Sequence, residues 1–328
     1  MDNPRPSFAP KNWPGWIAAG LMWLLGNMPY RLSLAIAAAL APLIRPLMKR
    51  RVAIVQKNIK RCFPELSEQQ QRDLVHKNIR SVVIGLVEFA YAWTGNRERM
   101  RKKLEITGTE HLQRISAGKG GVILMVCHMT CMEMVGGMVG EYLDSKRVTG
   151  MYRPLKSPVV EWLQNRGRLR YSIGSFPKNE LRSAVRHLRR GGFLWYAPDQ
   201  DFGADQSEFV PFFGIQTATL TATHKLAQLG RAEILPLFVR RNEDDSGYII
   251  QAGPALPDIP SDDVKADLAA CNRVTEEWIR QAPEQYWWLH RRWNYAPAGL
   301  QGRMVYLGPH RTRPQHNPDR ARQLQMGT

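Results

Sequence analysis

Gly120-Gly-Val-Ile-Leu-Met-Val-Cys127 runs straight into His128-Met-Thr-Cys-Met-Glu133. Two glycines followed by an unbroken apolar run is the pattern of a strand buried on both faces, as in a parallel sheet. Residues 130–143 then take on helical spacing. Two further runs of the same kind follow: residues 193–197, stopped by Pro198, and residues 234–239, preceded by a helix-like stretch over 219–229. Residues 248–251 read as a neighbouring strand. Strands alternating with helices predict an α/β fold, a central and mostly parallel sheet flanked by helices.

Upstream, Ser67-Glu-Gln-Gln70 reads as a capping box, with Ser67 as N-cap and Gln70 three residues on. The helix it starts places Val75, Ile79, Val82, Val83, Leu86, Val87 and Ala90 on one face. Residues 104–107 read as a short strand closed by Gly108. No internal repeat is present.

From Trp16 to Ile44 the chain carries one formal charge, Arg31. Residues 16–30 and 32–44 are two apolar pieces, each shorter than the roughly 20 residues that cross a bilayer. A tilted single span and two interfacial helices bent at Pro29 both fit; a buried hairpin is the plainer alternative. A cleaved signal peptide fits less well, because the apolar region is long and lacks a clear small-residue cleavage site. Trp13, Trp16, Trp23 and Tyr30 are rings suited to a headgroup boundary. Lys49-Arg50-Arg51, Lys57, Lys60 and Arg61 come next, and would hold the following domain on an anionic, cytoplasmic leaflet.

Ordinary globular composition, 44% hydrophobic and 23% charged over 328 residues, excludes a disordered chain or a multi-span membrane protein. Charge is the anomaly: +17, from 46 Lys and Arg against 29 Asp and Glu, predicts an anionic partner. A nucleic-acid-binding protein is the other class to weigh. No helix-turn-helix, zinc-finger or RNP-like signature supports it, and the basic residues accompany an apolar anchor. Cys62, Cys127, Cys131 and Cys271 form no CxxC pair, so neither a disulfide framework nor a zinc ribbon is expected.

Ligands of open α/β sheets bind beyond the carboxyl ends of the strands, which is where His128 falls. Glu133 comes five positions later, about 140° away on a regular helix, so the two meet only if His128 stays on the loop. Glu133 would then fix the imidazole tautomer and leave the other nitrogen as a base. A satisfied core histidine beside an unrelated glutamate is the bland alternative. A zinc site from Cys127, His128 and Cys131 is weaker still, since adjacent Cys and His point to opposite faces.

Five more segments surround this one: Met151-Tyr-Arg-Pro154, Asn165-Arg-Gly-Arg-Leu-Arg170, Tyr196-Ala-Pro-Asp-Gln-Asp-Phe-Gly203, Phe209-Val-Pro-Phe-Phe-Gly214, and Ala282-Pro-Glu-Gln-Tyr-Trp-Trp-Leu-His-Arg-Arg-Trp293. Singly, they are a solvated face, turns and an aromatic cluster. In this order, with the apolar anchor and the His-x4-acid motif, the chain resembles the lipid A biosynthesis lauroyl/myristoyl acyltransferases, from about Trp16 to Trp293. Those enzymes belong to a glycerophosphate-acyltransferase-like superfamily; much of it has Asp where this sequence has Glu133.

The resemblance implies transfer of a fatty acyl chain from acyl carrier protein to a hydroxyl of a Kdo-bearing, phosphorylated glycolipid. A lysophospholipid acceptor is the runner-up. It implies no cofactor and no metal. His128 would act as base and Glu133 would hold its ring. Arg168 and Arg166 are candidates for the oxyanion, with backbone amides at the helix start after His128 as the alternative, and Arg153, Arg170, Arg291 and Arg292 are candidates for substrate phosphates or carboxylates. Asp199 and Asp201 would orient arginines or cap the following turn. Residues 132–139 offer methionines beside small side chains for an acyl slot, or plain core packing. The chain divides accordingly into residues 1–48 as tail and anchor, 49–307 as the acyltransferase domain, and 308–328 as a basic tail. Its expected place is the inner membrane, facing the cytoplasm and in contact with anionic lipids.

Overall fold

The computed structural model describes residues 3–139, 142–203 and 206–294, so the predicted tail at 308–328 lies outside the described residues. Seven strands form the main sheet: β1 Leu104–Thr107, β2 Gly121–Met125, β3 Val148–Tyr152, β4 Ser175–Pro177, β5 Phe193–Tyr196, β8 Ala232–Arg241 and β9 Tyr248–Ala252. Between β5 and β8, strands β6 Ser207–Phe212 and β7 Ile215–Leu220 make a separate antiparallel hairpin. The sheet order is β1-β9-β8-β2-β5-β3-β4, parallel at every pairing except β8 with β9. The predicted mostly parallel α/β sheet is therefore present. Every residue of β2 is buried, as its continuous apolar run requires.

Helices cover both faces: α1 Trp13–Asn27, α2 Tyr30–Ile44, α3 Lys49–Cys62, α4 Glu68–Thr94, α5 Arg97–Arg101, α6 Thr109–Ala117, α7 Met132–Val139, α8 Pro158–Arg168, α9 Leu181–Arg189, α10 Ala222–Gly230 and α11 Val264–Gln281. The capping box starts α4: Ser67 Oγ accepts from Gln70 N, and Gln70 Oε1 accepts from Ser67 N. Its predicted apolar face is buried apart from Leu86, which is exposed. α7 is shorter than expected, and the stretch predicted as helix over 219–229 begins as the end of β7. The VPFFG segment supplies the turn of the β6–β7 hairpin, with Phe213 and Gly214 both at positive φ.

Tyr30–Cys62 is long and apolar enough to cross a membrane by length and composition. The two apolar pieces break at Pro29, but neither stands free of the body. α1 packs on α4 and α8, so closely that a Cβ on Gly15 would lie 2.7 Å from Ser157 Oγ. α2 packs on α4, and Tyr30 is buried, its hydroxyl 2.7 Å from that of Tyr248. Tyr30 is thus a core residue and not a boundary ring, because Tyr248 and Glu88 offer a polar partner inside. Trp16 likewise packs on Trp162 and Phe8. The outer face remains apolar: Trp13, Ile17, Leu21, Leu24, Leu32, Leu40, Leu43 and Leu47 are all exposed.

Candidate active site

β2 and β5 are neighbours in register, with Met125 opposite Tyr196. Three residues beyond each partner come His128 and Asp199, so equal offsets past a parallel pair set them side by side. His128 Nδ1 lies 2.6 Å from Asp199 Oδ1, and the His128 amide donates to Asp199 Oδ2 at 2.9 Å. Burial alone would raise the Asp199 pKa; the His128 ring and its hydrogen bonds overcome that and bring it to about 2. An ionised carboxylate at Nδ1 fixes the proton there and leaves Nε2 with a lone pair. The Asp199 side chain is 1% exposed and that of His128 27%, so the ring is the part that reaches solvent.

Glu133, the expected partner, does not take that place. Its two carboxylate oxygens face the guanidinium of Arg168, at 2.8 Å from Nε and 2.6 Å from Nη2, and Trp93 Nε1 donates to Oε1 at 2.8 Å. Burial opposes the ionised form, yet Arg168, Trp93 and Tyr171 outweigh it and lower the Glu133 pKa. Arg168 is held as a cation in turn: burial opposes it, Glu133 more than compensates, and its pKa is raised. The physical reason is length: the loop carries His128 to the β5 side, while one helical turn carries Glu133 toward α4 and α8. Two acid–base pairs stand where the sequence suggested one.

The segment 283–290 fastens the loop. Thr130 N donates to Gln285 O, and Trp287 N to His128 O, at 2.7 and 2.9 Å. Buried Asn78 donates to the carbonyls of Glu284 and Tyr286, and buried Asn58 to those of Trp288 and His290. Neither asparagine was legible as a site residue, because each lies mid-helix among ordinary neighbours.

His128 opens onto a cavity of about 1800 Å³. Arg50, Arg51, Arg153, Lys178 and Arg291 line it together with the Arg168–Glu133 pair and Asp201, so its charge is strongly positive. Arg153 and Arg291 are thus where substrate anions were expected. Arg50 and Arg51, assigned from sequence to the leaflet, reach the cavity too, because α3 passes its edge. Met132, Gly136, Val148, Met151, Trp195 and Leu220 supply the apolar wall. Of the predicted acyl slot, Met132 and Gly136 face this cavity, whereas Val135 and Val139 are core.

Three arginines are placed otherwise than the sequence suggested. Arg166 lies over the Trp162 ring, 5.4 Å from its centroid, outside the cavity lining. Arg170 donates to the carbonyls of Gly95 and Ala92, capping the carboxyl end of α4. Arg292 is 2% exposed and holds β7, through Ala218 O and Thr219 Oγ1. Asp201 does cap its own turn, accepting from Gly203 N at 2.8 Å, whereas Asp199 holds a histidine and not an arginine. Cys127 and Cys131 are buried; burial pushes the first thiol up and brings the second to about 12.

A histidine–carboxylate pair stands at the strand ends, beneath a cationic cavity with one apolar wall. The model of the bacterial lipid A biosynthesis acyltransferase family matches residues 5–295, and the chain belongs to that family. It is 37% identical over 295 residues to a lipid A biosynthesis lauroyltransferase of Escherichia coli (strain K12), spanning 90% of this chain and 95% of that one. It is 34% identical to the palmitoleoyltransferase of the same strain (90% and 95% covered) and 25% identical to its myristoyltransferase (85% and 86%). The chain is an acyltransferase of lipid A biosynthesis.

Proposed function

We propose that the protein moves a fatty acyl chain from acyl carrier protein to a hydroxyl of a Kdo-bearing lipid A precursor, at the cytoplasmic face of the inner membrane. The observation that carries this reading is the His128–Asp199 pair at the floor of the cationic cavity. His128 Nε2 takes the acceptor hydroxyl proton while the oxygen attacks the thioester carbonyl; Asp199 positions the ring and stabilises the imidazolium. Glu133 and Arg168 form a rigid wall beside the base. Arg50, Arg51, Arg153 and Arg291 are placed for phosphates and carboxylates of the glycolipid, for which guanidinium forks are shaped. Positive surface also suits acidic acyl carrier protein and anionic lipid, and the exposed apolar face of α1 and α2 seats the body on the bilayer. Buried, protonated thiols make direct attack preferable to an acyl-cysteine intermediate.

Mass spectrometry of lipid A from a strain lacking the gene tests the proposal. Loss of one acyl group, restored by the wild-type gene and not by His128→Ala, is the expected result. Unchanged lipid A, with altered phospholipid acylation, would move the acceptor to a lysophospholipid.

A further inference from the structure

A second imidazole lines the cavity, that of His290. Its Nε2 accepts a hydrogen bond from the backbone N–H of Asp201 at 2.8 Å. An amide N–H only donates, so Nε2 carries a lone pair and no proton. A neutral ring of that kind has its proton on Nδ1; an imidazolium would set two donors against each other. The surroundings agree with neutrality. Burial lowers the His290 pKa most, Asp199 raises it, and His128, Arg292 and Arg51 lower it further, to about 4. His290 therefore presents an N–H at Nδ1 at neutral pH, and among the described residues that N–H meets no hydrogen-bond acceptor.

The backbone ties the two rings together. Trp287 N donates to the carbonyl of His128, His290 N donates to that of Trp287, and Asn58 holds the carbonyl of His290 at 2.9 Å. Meanwhile the arginines expected to meet an oxyanion are otherwise engaged. Arg168 presents its Nε–Nη2 edge to Glu133, and Arg166 lies over Trp162.

We infer that His290 is a second catalytic residue, whose Nδ1–H donates to the acyl carbonyl oxygen and stabilises the oxyanion. This rests on the acyl-transfer reading above. As the acceptor oxygen bonds to the carbonyl carbon, its proton passes to His128 Nε2 and the carbonyl π pair moves onto oxygen, beside His290. Collapse reforms the carbonyl, breaks the C–S bond, and His128 returns the proton to the departing sulfur. A neutral donor suits this task in a cavity built for anions. A guanidinium there would bind substrate phosphate in the ground state, whereas a neutral N–H gains chiefly as charge develops. Neutral imidazole is a known polariser of carbonyls.

Steady-state transfer by three full-length variants tests it, using acyl carrier protein charged with a fatty acyl chain and purified glycolipid. An asparagine amide occupies the Nδ1 position; a glutamine amide reaches the Nε2 position. His290→Ala should lower kcat about 10²–10³-fold with KM changed less than threefold, the loss expected for one oxyanion donor. His290→Asn should recover at least tenfold of that, and His290→Gln little. If the residue merely anchors the Asp201 loop, the order reverses, and glutamine rescuing better than asparagine overturns the inference. Nitrogen-15 NMR of the wild-type imidazoles is independent of how the variants fold: His290 should show the Nδ1–H tautomer, unchanged from pH 8 to 6. An Nε2–H or imidazolium signal at pH 7 also overturns it. His128→Ala in the same assay separates the two readings. If that variant keeps near-normal turnover, the acyl-transfer mechanism itself fails; if it is inactive while the asparagine and glutamine variants reverse, only the role of His290 fails.

Discussion

Asp199→Asn separates the two carboxylates of the site most sharply. Both Asp199 oxygens are acceptors, one for the His128 ring at 2.6 Å and one for the His128 amide at 2.9 Å. Asparagine keeps the shape but turns one oxygen into a donor. Facing the amide, that donor meets another N–H and displaces the loop. Facing the ring, it forces the proton onto Nε2 and removes the base. Either way kcat should fall about 10³–10⁴-fold, the size seen when a base-orienting carboxylate is lost, or about 4–5.5 kcal/mol at 1.4 kcal/mol per decade. KM for glycolipid should stay within about threefold. Glu133→Gln strips a buried Arg168 of its counter-ion, so it should cost stability, about 3 kcal/mol, and leave the pH profile of the folded fraction unchanged. Steady-state transfer with a labelled acyl donor, beside chemical denaturation of each variant, reads both effects. An Asp199→Asn enzyme within tenfold of wild-type kcat, with Glu133→Gln a hundredfold below it at undiminished stability, would refute the reasoning and restore Glu133 as the partner of His128.

Acid sensitivity gives a second check, with the sign set by a folded pKa below the ordinary one. Asp199 titrates at about 2 folded against 3.8 in a free chain, so its stabilisation is complete above pH about 4 and lost toward pH 2. Asp199→Asn should accordingly unfold with a shallower acid limb, followed by circular dichroism. Arg292→Ala should lower stability by about 2 kcal/mol or more through its lost bonds to β7, while Arg291→Ala should leave the melting temperature alone and raise KM for glycolipid. Replacing Ile17, Leu21, Leu43 and Leu47 with serine should shift the folded protein from the membrane to the soluble fraction, whereas deleting residues 1–48 should yield insoluble or degraded chain. Iodoacetamide at pH 7.5 should leave the native enzyme active, because its buried thiols stay protonated, and prompt inactivation would contradict that.

The sheet was legible because a parallel strand is buried on both faces and writes itself as an apolar run, as β2, β5 and β8 do. β3, Val148–Tyr152, was missed because it mixes Thr and Gly with Tyr, and its burial fades along its length. The β6–β7 hairpin was hidden by Pro211 and by threonines whose hydroxyls bond locally. His128 was legible from its place at a strand end, and so was the loop holding Asp199. What sequence spacing favoured was the near carboxylate, five residues away in the chain. What the sheet delivers is the far one, 71 residues away, because parallel neighbours in register bring equal offsets together. Part of that signal was present: both loops leave predicted strands, His128 one residue past the end at 127 and Asp199 two past the end at 197, but the equal offset of three appears only once Met125 is seen to pair with Tyr196. The arginines were the least legible, since a guanidinium that caps a helix, stacks on a ring or meets a substrate looks the same in one dimension.

The apolar face and the cavity are parts of one surface, and this decides how the N-terminal segment should be understood. Leu43 and Leu47 are exposed on the run that continues directly into α3, whose Arg50 and Arg51 line the cavity. Within about two turns of helix the chain passes from side chains suited to acyl tails to side chains suited to phosphates. A detachable anchor would need a linker and an independent domain edge. Instead, α1 is wedged against α4 and α8, and Tyr30 closes a buried hydrogen-bonded chain through Tyr248 to Glu88 and Arg241. The N-terminal segment is therefore part of the packed body. On the proposed function, this arrangement would keep the substrate's tails in the leaflet while its headgroup reaches His128. Extraction of a whole glycolipid from the bilayer, with exposure of its acyl chains to water, would then be unnecessary.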